Sequence, residues 1–199
     1  MIFSNKPTTP WLSTSRLCIS LLLITSIDTI AETIESIEYK NYVISPRAAH
    51  EIKPELMRHT PIRDYKGSYN GHTDWYIDWQ YQTRQEANIC RINQLKVKVH
   101  VVHILPRLSE YVTDKQTIEV FNRFNAALTQ HEKNHGNNGL SAAREIDKAL
   151  NALQPQRSCH RTSWLIDDIG HSIVKKYVAA DKEYDRTTNN GMTEGAVIY

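Results

Sequence analysis

Two histidines and a glutamate in the run His131-Glu132-Lys133-Asn134-His135 are the residues best suited to chemistry. On a helix, positions four apart lie one turn apart on the same face, so the imidazoles of His131 and His135 can converge. Two such nitrogens suit a single zinc ion, each at roughly 2.0–2.1 Å. Glu132, beside the first histidine, is placed to serve the ion's open position rather than the ion. The expected chemistry is hydrolysis: zinc lowers the pKa of a bound water toward 7, and Glu132, as general base, takes its proton and hands it to the leaving amine. The metal is therefore expected to be Zn2+ and the catalytic carboxylate Glu132.

The motif needs a helix, and the flanking sequence provides one. From Asp114, the apolar residues Ile118, Phe121, Phe124 and Leu128 recur at spacings of three and four, and His131 and His135 extend that stripe. Asn137-Asn138-Gly139 is expected to break the helix, with a second running from about Ser141 (Ala143, Ile146, Leu150 and Leu153 inward) to Pro155. A third is expected from Thr162-Ser163, carrying Leu165, Ile169, Ile173 and Tyr177, before an irregular tail from Thr187. Upstream, Tyr42-Val43-Ile44 reads as a short strand and residues 48–59 as a helix stopped by Pro61. Trp75, Ile77, Trp79 and Tyr81 alternate with polar residues, as do Leu95, Val97, Val99 and Val101 in a strand ended by Pro106. Strands first and helices after give an α+β class: a small antiparallel sheet packed on a helical half that carries the motif.

The first segment sets the compartment. Residues 1–16 carry Lys6 and Arg16 and no acid, an apolar run follows from Leu17, and small residues close at Ala31. This is the pattern of a secretory signal over residues 1–31, with residues 32–199 as the mature domain, secreted or periplasmic. The apolar run is shorter than the roughly 20 residues of a membrane span, so stable membrane insertion after cleavage is not expected. Of three cysteines, Cys18 falls within the signal, and Cys90 and Cys159 are left as a pair expected to bridge after export. Net charge is +2 for the chain and about +1 without the signal, which argues against nucleic acid as a partner.

The chain resembles a bacterial family of predicted secreted zinc-dependent proteases. The resemblance rests on Tyr42-Val43-Ile44, Trp75-x-x-x-Trp79-x-Tyr81, Cys90-Arg91-Ile92 and Thr129-Gln130-His131-Glu132-x-x-His135. It also covers the closing segment Tyr184-Asp185-x-x-Thr188-x-Asn190-Gly191-x-x-Glu194-Gly195-Ala196. It implies a zincin-like core and proteolysis of a peptide or protein substrate, with the strand near residues 95–104 offering the edge on which a peptide pairs. In that closing segment the family tends to have histidine at the position of Asn190 and glutamine at that of Glu194. A catalytic zinc normally has three protein ligands, so the third must be sought here, and Asp185, which keeps the family pattern, is the expected one, with Glu194 next. Loss of a histidine at position 190 also leaves open a metal-weak or inactive relative acting as a periplasmic binding module. Asn138 and Ser141 stand where a longer metzincin motif needs glycine and histidine, which argues against that class. Glu145 is expected on the surface, His100 and His103 on opposite strand faces, and Tyr184 either in packing or as an oxyanion donor.

Overall fold

A computed structural model describes residues 33–65 and 67–198. The expected signal segment lies outside the described residues. No helix among the described residues is long and apolar enough to cross a membrane.

The centre of the sheet is a hairpin. Strand β4 (His72–Glu86) turns at Ala87, whose φ is 48°, into β5 (Ile89–Leu108), and the two pair antiparallel along their length. Val97, Val99 and Val101 are buried on one face of β5, while Lys96, Lys98 and His100 alternate onto the other. β5 continues through Pro106 rather than ending there. Its pairing with β4 stops at Ile104, so the proline lies where β5 has a neighbour on one side only and a missing N–H is tolerated.

The third strand, β1 (Ile34–Ile44), is far longer than Tyr42-Val43-Ile44 and joins β5 in parallel, giving the order β1-β5-β4. The sheet is therefore mixed, and the stretch 95–104 belongs to its central strand, which is paired on both sides from Lys98 to Ile104. The free edges belong to β1 and β4, which corrects the edge expected for a substrate. A 3₁₀ turn (Ala49–Glu51) leads into α1 (Ile52–His59), followed by a two-stranded ribbon of β2 (Arg63–Asp64) and β3 (Gly67–Ser68).

Two long helices cover one face of the sheet. α2 (Lys115–Asn151) starts at Asp114, whose carboxylate caps the Thr117 N–H at 2.8 Å. It runs unbroken through Asn137-Asn138-Gly139, where a break was expected. Tertiary contacts outweigh weak local propensity there. Asn138 donates to Asp181 at 2.6 Å, and Gly139 lets Trp75 lie against the helix, since a Cβ would stand 2.5 Å from its Cγ. α3 (Cys159–Thr188) is capped by Ser158 and buries Thr162, Ile166, Gly170 and Ile173, then ends at Asn189 in the left-handed region. The disulfide Cys90–Cys159 ties the start of α3 to the start of β5, consistent with an extracytoplasmic protein.

The interior forms two apolar clusters. One gathers Ile44, Ile52, Leu56 and Leu105 around Phe121, Phe124 and Leu128. The other gathers Val97, Val99 and Val101 around Ile146, Leu150 and Ile166. Residues 131–135 of α2 fall between them, so the polar motif sits at a seam in the core. The tail beyond Thr187 is more ordered than expected: a 3₁₀ turn (Met192–Glu194) is followed by Ala196 and Ile198, both buried in the first cluster.

Candidate metal centre

α2 and α3 run antiparallel and each presents a pair of side chains one turn apart. From α2 come His131 and His135; from α3 come Asp181 and Asp185. The Nε2 atoms of the two histidines are 3.3 Å apart, and Asp185 Oδ1 lies 3.2 Å from His131 Nε2 and 3.0 Å from His135 Nε2. His131, His135 and Asp185 thus offer three ligand atoms around one point. Bonds of about 2.0–2.1 Å in a tetrahedron put ligand atoms about 3.3 Å apart. The triangle is within a few tenths of an ångström of that edge, and two imidazoles with one carboxylate are a donor set zinc accepts. The residues fit the ion. His131 and His135 are nearly enclosed, at 3% and 10% side-chain exposure, while Asp185 is 42% exposed, so the approach is from its side.

The other nitrogen of each ring is anchored by a carboxylate. His135 Nδ1 pairs with Asp181 Oδ1 at 3.0 Å, and His131 Nδ1 with Glu194 Oε2 at 2.9 Å. Carboxylates behind metal-bound histidines fix tautomer and ring orientation, keeping Nε2 for the ion. Asp181 also accepts from Trp75 Nε1 at 2.8 Å and from Asn138, so β4 and both helices meet on it. Glu194 accepts from the Tyr184 hydroxyl, whose ring stacks on His131 at 4.8 Å and whose oxygen receives Asn134 Nδ2 at 2.6 Å. That single phenolic proton is committed to Glu194, so Tyr184 packs and braces rather than serving an oxyanion in this arrangement. Gly191 makes the return of Glu194 feasible: its φ is 79°, and a Cβ there would lie 2.9 Å from His131 Cγ.

Electrostatics follow the geometry. Burial would lower the pKa of His135, but the hydrogen-bonded carboxylates of Asp181 and Asp185 outweigh it and raise it to about 10. For His131, burial likewise pulls down, and Asp185 and Glu194 prevail to give a net upward shift. Asp185 goes the other way: burial raises it, yet the two histidines hold it well below the usual carboxylate range. Asp181, Asp185, Glu194 and Glu132 around two imidazoles leave an excess of negative charge, suited to a divalent cation.

Glu132 is 5% exposed, and its Oε2 accepts from the Thr73 hydroxyl at 2.8 Å. Burial pushes its carboxyl up, opposed by Thr73 and by the charge of His135, His131 and His72.

Of the expected site residues, His131, His135 and Asp185 come together, with Glu132 alongside. Glu194 stands behind His131. Asn190 is placed by its backbone, at φ 50°, with its N–H donating to the Asp185 carbonyl at 2.8 Å. Glu145 is engaged with Lys176 and Tyr177. His100 pairs with Ser36 and Glu38, on the opposite face from His103. Asp181 escaped the sequence reading, although Asp181-x-x-x-Asp185 has the same four-residue spacing as the histidine pair. Thr73 escaped it too, and His103 is read there only as lying on the face opposite His100; no local pattern marks either for this site.

Over residues 39–192 the chain matches the family model described as bacterial protein of unknown function, DUF922, and it belongs to that family. No curated protein and no solved structure shows significant similarity to it.

Proposed function

We propose that this member of DUF922 is an exported zinc-dependent peptidase. The observation that carries the reading is the convergence of His131 Nε2, His135 Nε2 and Asp185 Oδ1 within 3.0–3.3 Å of one another, each ring held from behind by a carboxylate. His131, His135 and Asp185 would hold the ion. The chemistry supplied by zinc in that place is Lewis acidity toward a water and a peptide carbonyl. Glu132, with its pKa raised by burial, accepts the proton of the attacking water and delivers it to the leaving amine. Thr73, near the start of the open-edged β4, touches Glu132, so this edge, rather than the central β5, is where an extended peptide would lie by strand addition. Export is supported by the Cys90–Cys159 bridge together with the charged and apolar leader of residues 1–31.

The metal-weak alternative rests on Asn190. With Asp185 in the third place, no ligand is required of residue 190, and no observation favours that alternative. The deciding experiment is metal analysis with hydrolysis of a fluorogenic casein by the mature protein. Zinc is expected near one equivalent, and Glu132→Gln should keep the zinc and lose hydrolysis. Hydrolysis undiminished in that variant would remove Glu132 from its role, and a protein that retains no zinc after purification without chelators would remove the metal.

A further inference from the structure

His103 faces inward from β5 between Val101 and Leu105 and is 2% exposed. An imidazole there is costly to bury unless its hydrogen bonds are met. Its partner is directly across the hairpin: Thr73 pairs with His103 in register, and their Oγ1 and Nδ1 atoms are 2.8 Å apart. The same Oγ1 is 2.8 Å from Glu132 Oε2 and 3.0 Å from the Glu132 carbonyl oxygen. A threonine hydroxyl has one proton. Both contacts on Glu132 are oxygens that accept, so the proton goes there, and the Thr73 oxygen must receive Nδ1–H from His103. The ring is fixed in turn by α2, where Gly136 lies so close that a Cβ would stand 2.8 Å from His103 Cε1. Burial, with the charges of Lys133 and His135 nearby, lowers the pKa of His103.

We infer that His103 and Thr73 are positioning residues for Glu132, acting as a directed chain from His103 Nδ1–H to Thr73 Oγ1–H to Glu132 Oε2 that holds the carboxylate in one rotamer. The inference rests on the proposed role of Glu132 as base and extends it to the hairpin beneath the motif. It gives a reason for a buried histidine in the middle of an otherwise apolar strand face. It also makes the β4–β5 register part of the site, because a slip of one residue would turn Thr73 away from Glu132.

The test uses the zinc-loaded mature protein with Thr73→Val and Thr73→Ser, the fluorogenic casein as substrate, and nitrogen NMR of the histidine rings. Valine keeps the shape and removes the hydroxyl. It is expected to lower kcat by roughly 10²-fold, the scale of a misplaced catalytic group, with KM and zinc content unchanged. Serine should return most of that loss. In the unmutated protein the His103 ring should carry its proton on Nδ1, and that preference should vanish in Thr73→Val. Unchanged kcat in the valine variant, a loss that serine does not recover, or a proton on Nε2 in the unmutated protein would each overturn the inference. Should the unmutated protein hydrolyse nothing, the proposed peptidase fails, and the ring spectrum alone then decides whether the chain to Glu132 exists.

Discussion

Replacing Asp181 by asparagine separates a braced metal site from a chance cluster of polar groups. The carboxylate takes three donors: Oδ1 accepts from His135 Nδ1 and Asn138 Nδ2, and Oδ2 from Trp75 Nε1. An amide has one accepting oxygen, so one side must fail. If the oxygen stays toward His135, the NH2 group faces the Trp75 N–H. If the amide flips, His135 Nδ1 becomes an acceptor and its proton moves to Nε2, the nitrogen needed for the ion. Loss of such a brace typically lowers metal affinity about 10–100-fold, which corresponds to about 1.4–2.7 kcal/mol. Metal-free stability should fall as well, by about 1 kcal/mol, the low end for an unmet donor because the Asp181 side chain is 19% exposed. Competition with a chromophoric chelator reads the affinity and thermal unfolding reads the stability. Adding Trp75→Phe removes the opposing N–H, lets the amide oxygen stay on His135, and should recover part of the affinity. An Asp181→Asn protein that binds zinc as tightly as the original would refute the reasoning.

Further outcomes follow from the same structure. Zinc affinity should rise with pH between about 6 and 9, because a His135 pKa near 10 means that the ion must displace a proton across that range; calorimetry in buffers of different ionisation heat would show proton release, and its absence would contradict the assignment. In the metal-free protein the sign is opposite. His135 is raised from 6.5, so its contribution is full below pH 6.5 and is lost as pH climbs toward 10, which denaturant titrations at both ends would detect. Replacing Cys90 and Cys159 by serine opens a loop with a sequence separation of 69 and should cost about 4 kcal/mol in denaturant unfolding. Asn137→Ala, at an exposed position inside the continuous α2, should stabilise by about 0.5 kcal/mol; destabilisation would indicate a break at that point.

What could be read in advance was what repeats locally. His131 and His135 were legible because four residues are one helical turn, and the β4–β5 hairpin because valines alternate with lysines. Asp181 was equally local and simply lacked a chemical label. The unbroken path of α2 was not legible, because the contacts that override Asn137-Asn138-Gly139 come from Trp75 and Asp181, far off in the chain. The early half of β1 was hidden for another reason: residues 34–41 are exposed on both faces, so no burial period marks them, and their partner in β5 lies more than sixty residues on. Thr73 needs His103 and Glu132 to acquire a meaning, at separations of 30 and 59 residues. Asp185 was reached through family resemblance, since a carboxylate on a polar helix carries no signature of its own.

The anchoring of Glu194 by buried Ala196 and Ile198 has a bearing on when the centre comes into being. A ribosome that has released residues up to 150 has already made the two histidines, yet neither aspartate nor the brace behind His131 exists. Only after synthesis has passed Ile198 do the last apolar contacts draw the closing turn over the first ring. An ion held by this set would thereby be captured late in the life of the polypeptide, and a protein clipped between Asp185 and Glu194 would keep His131, His135 and Asp185 while losing the carboxylate that aims one of the rings.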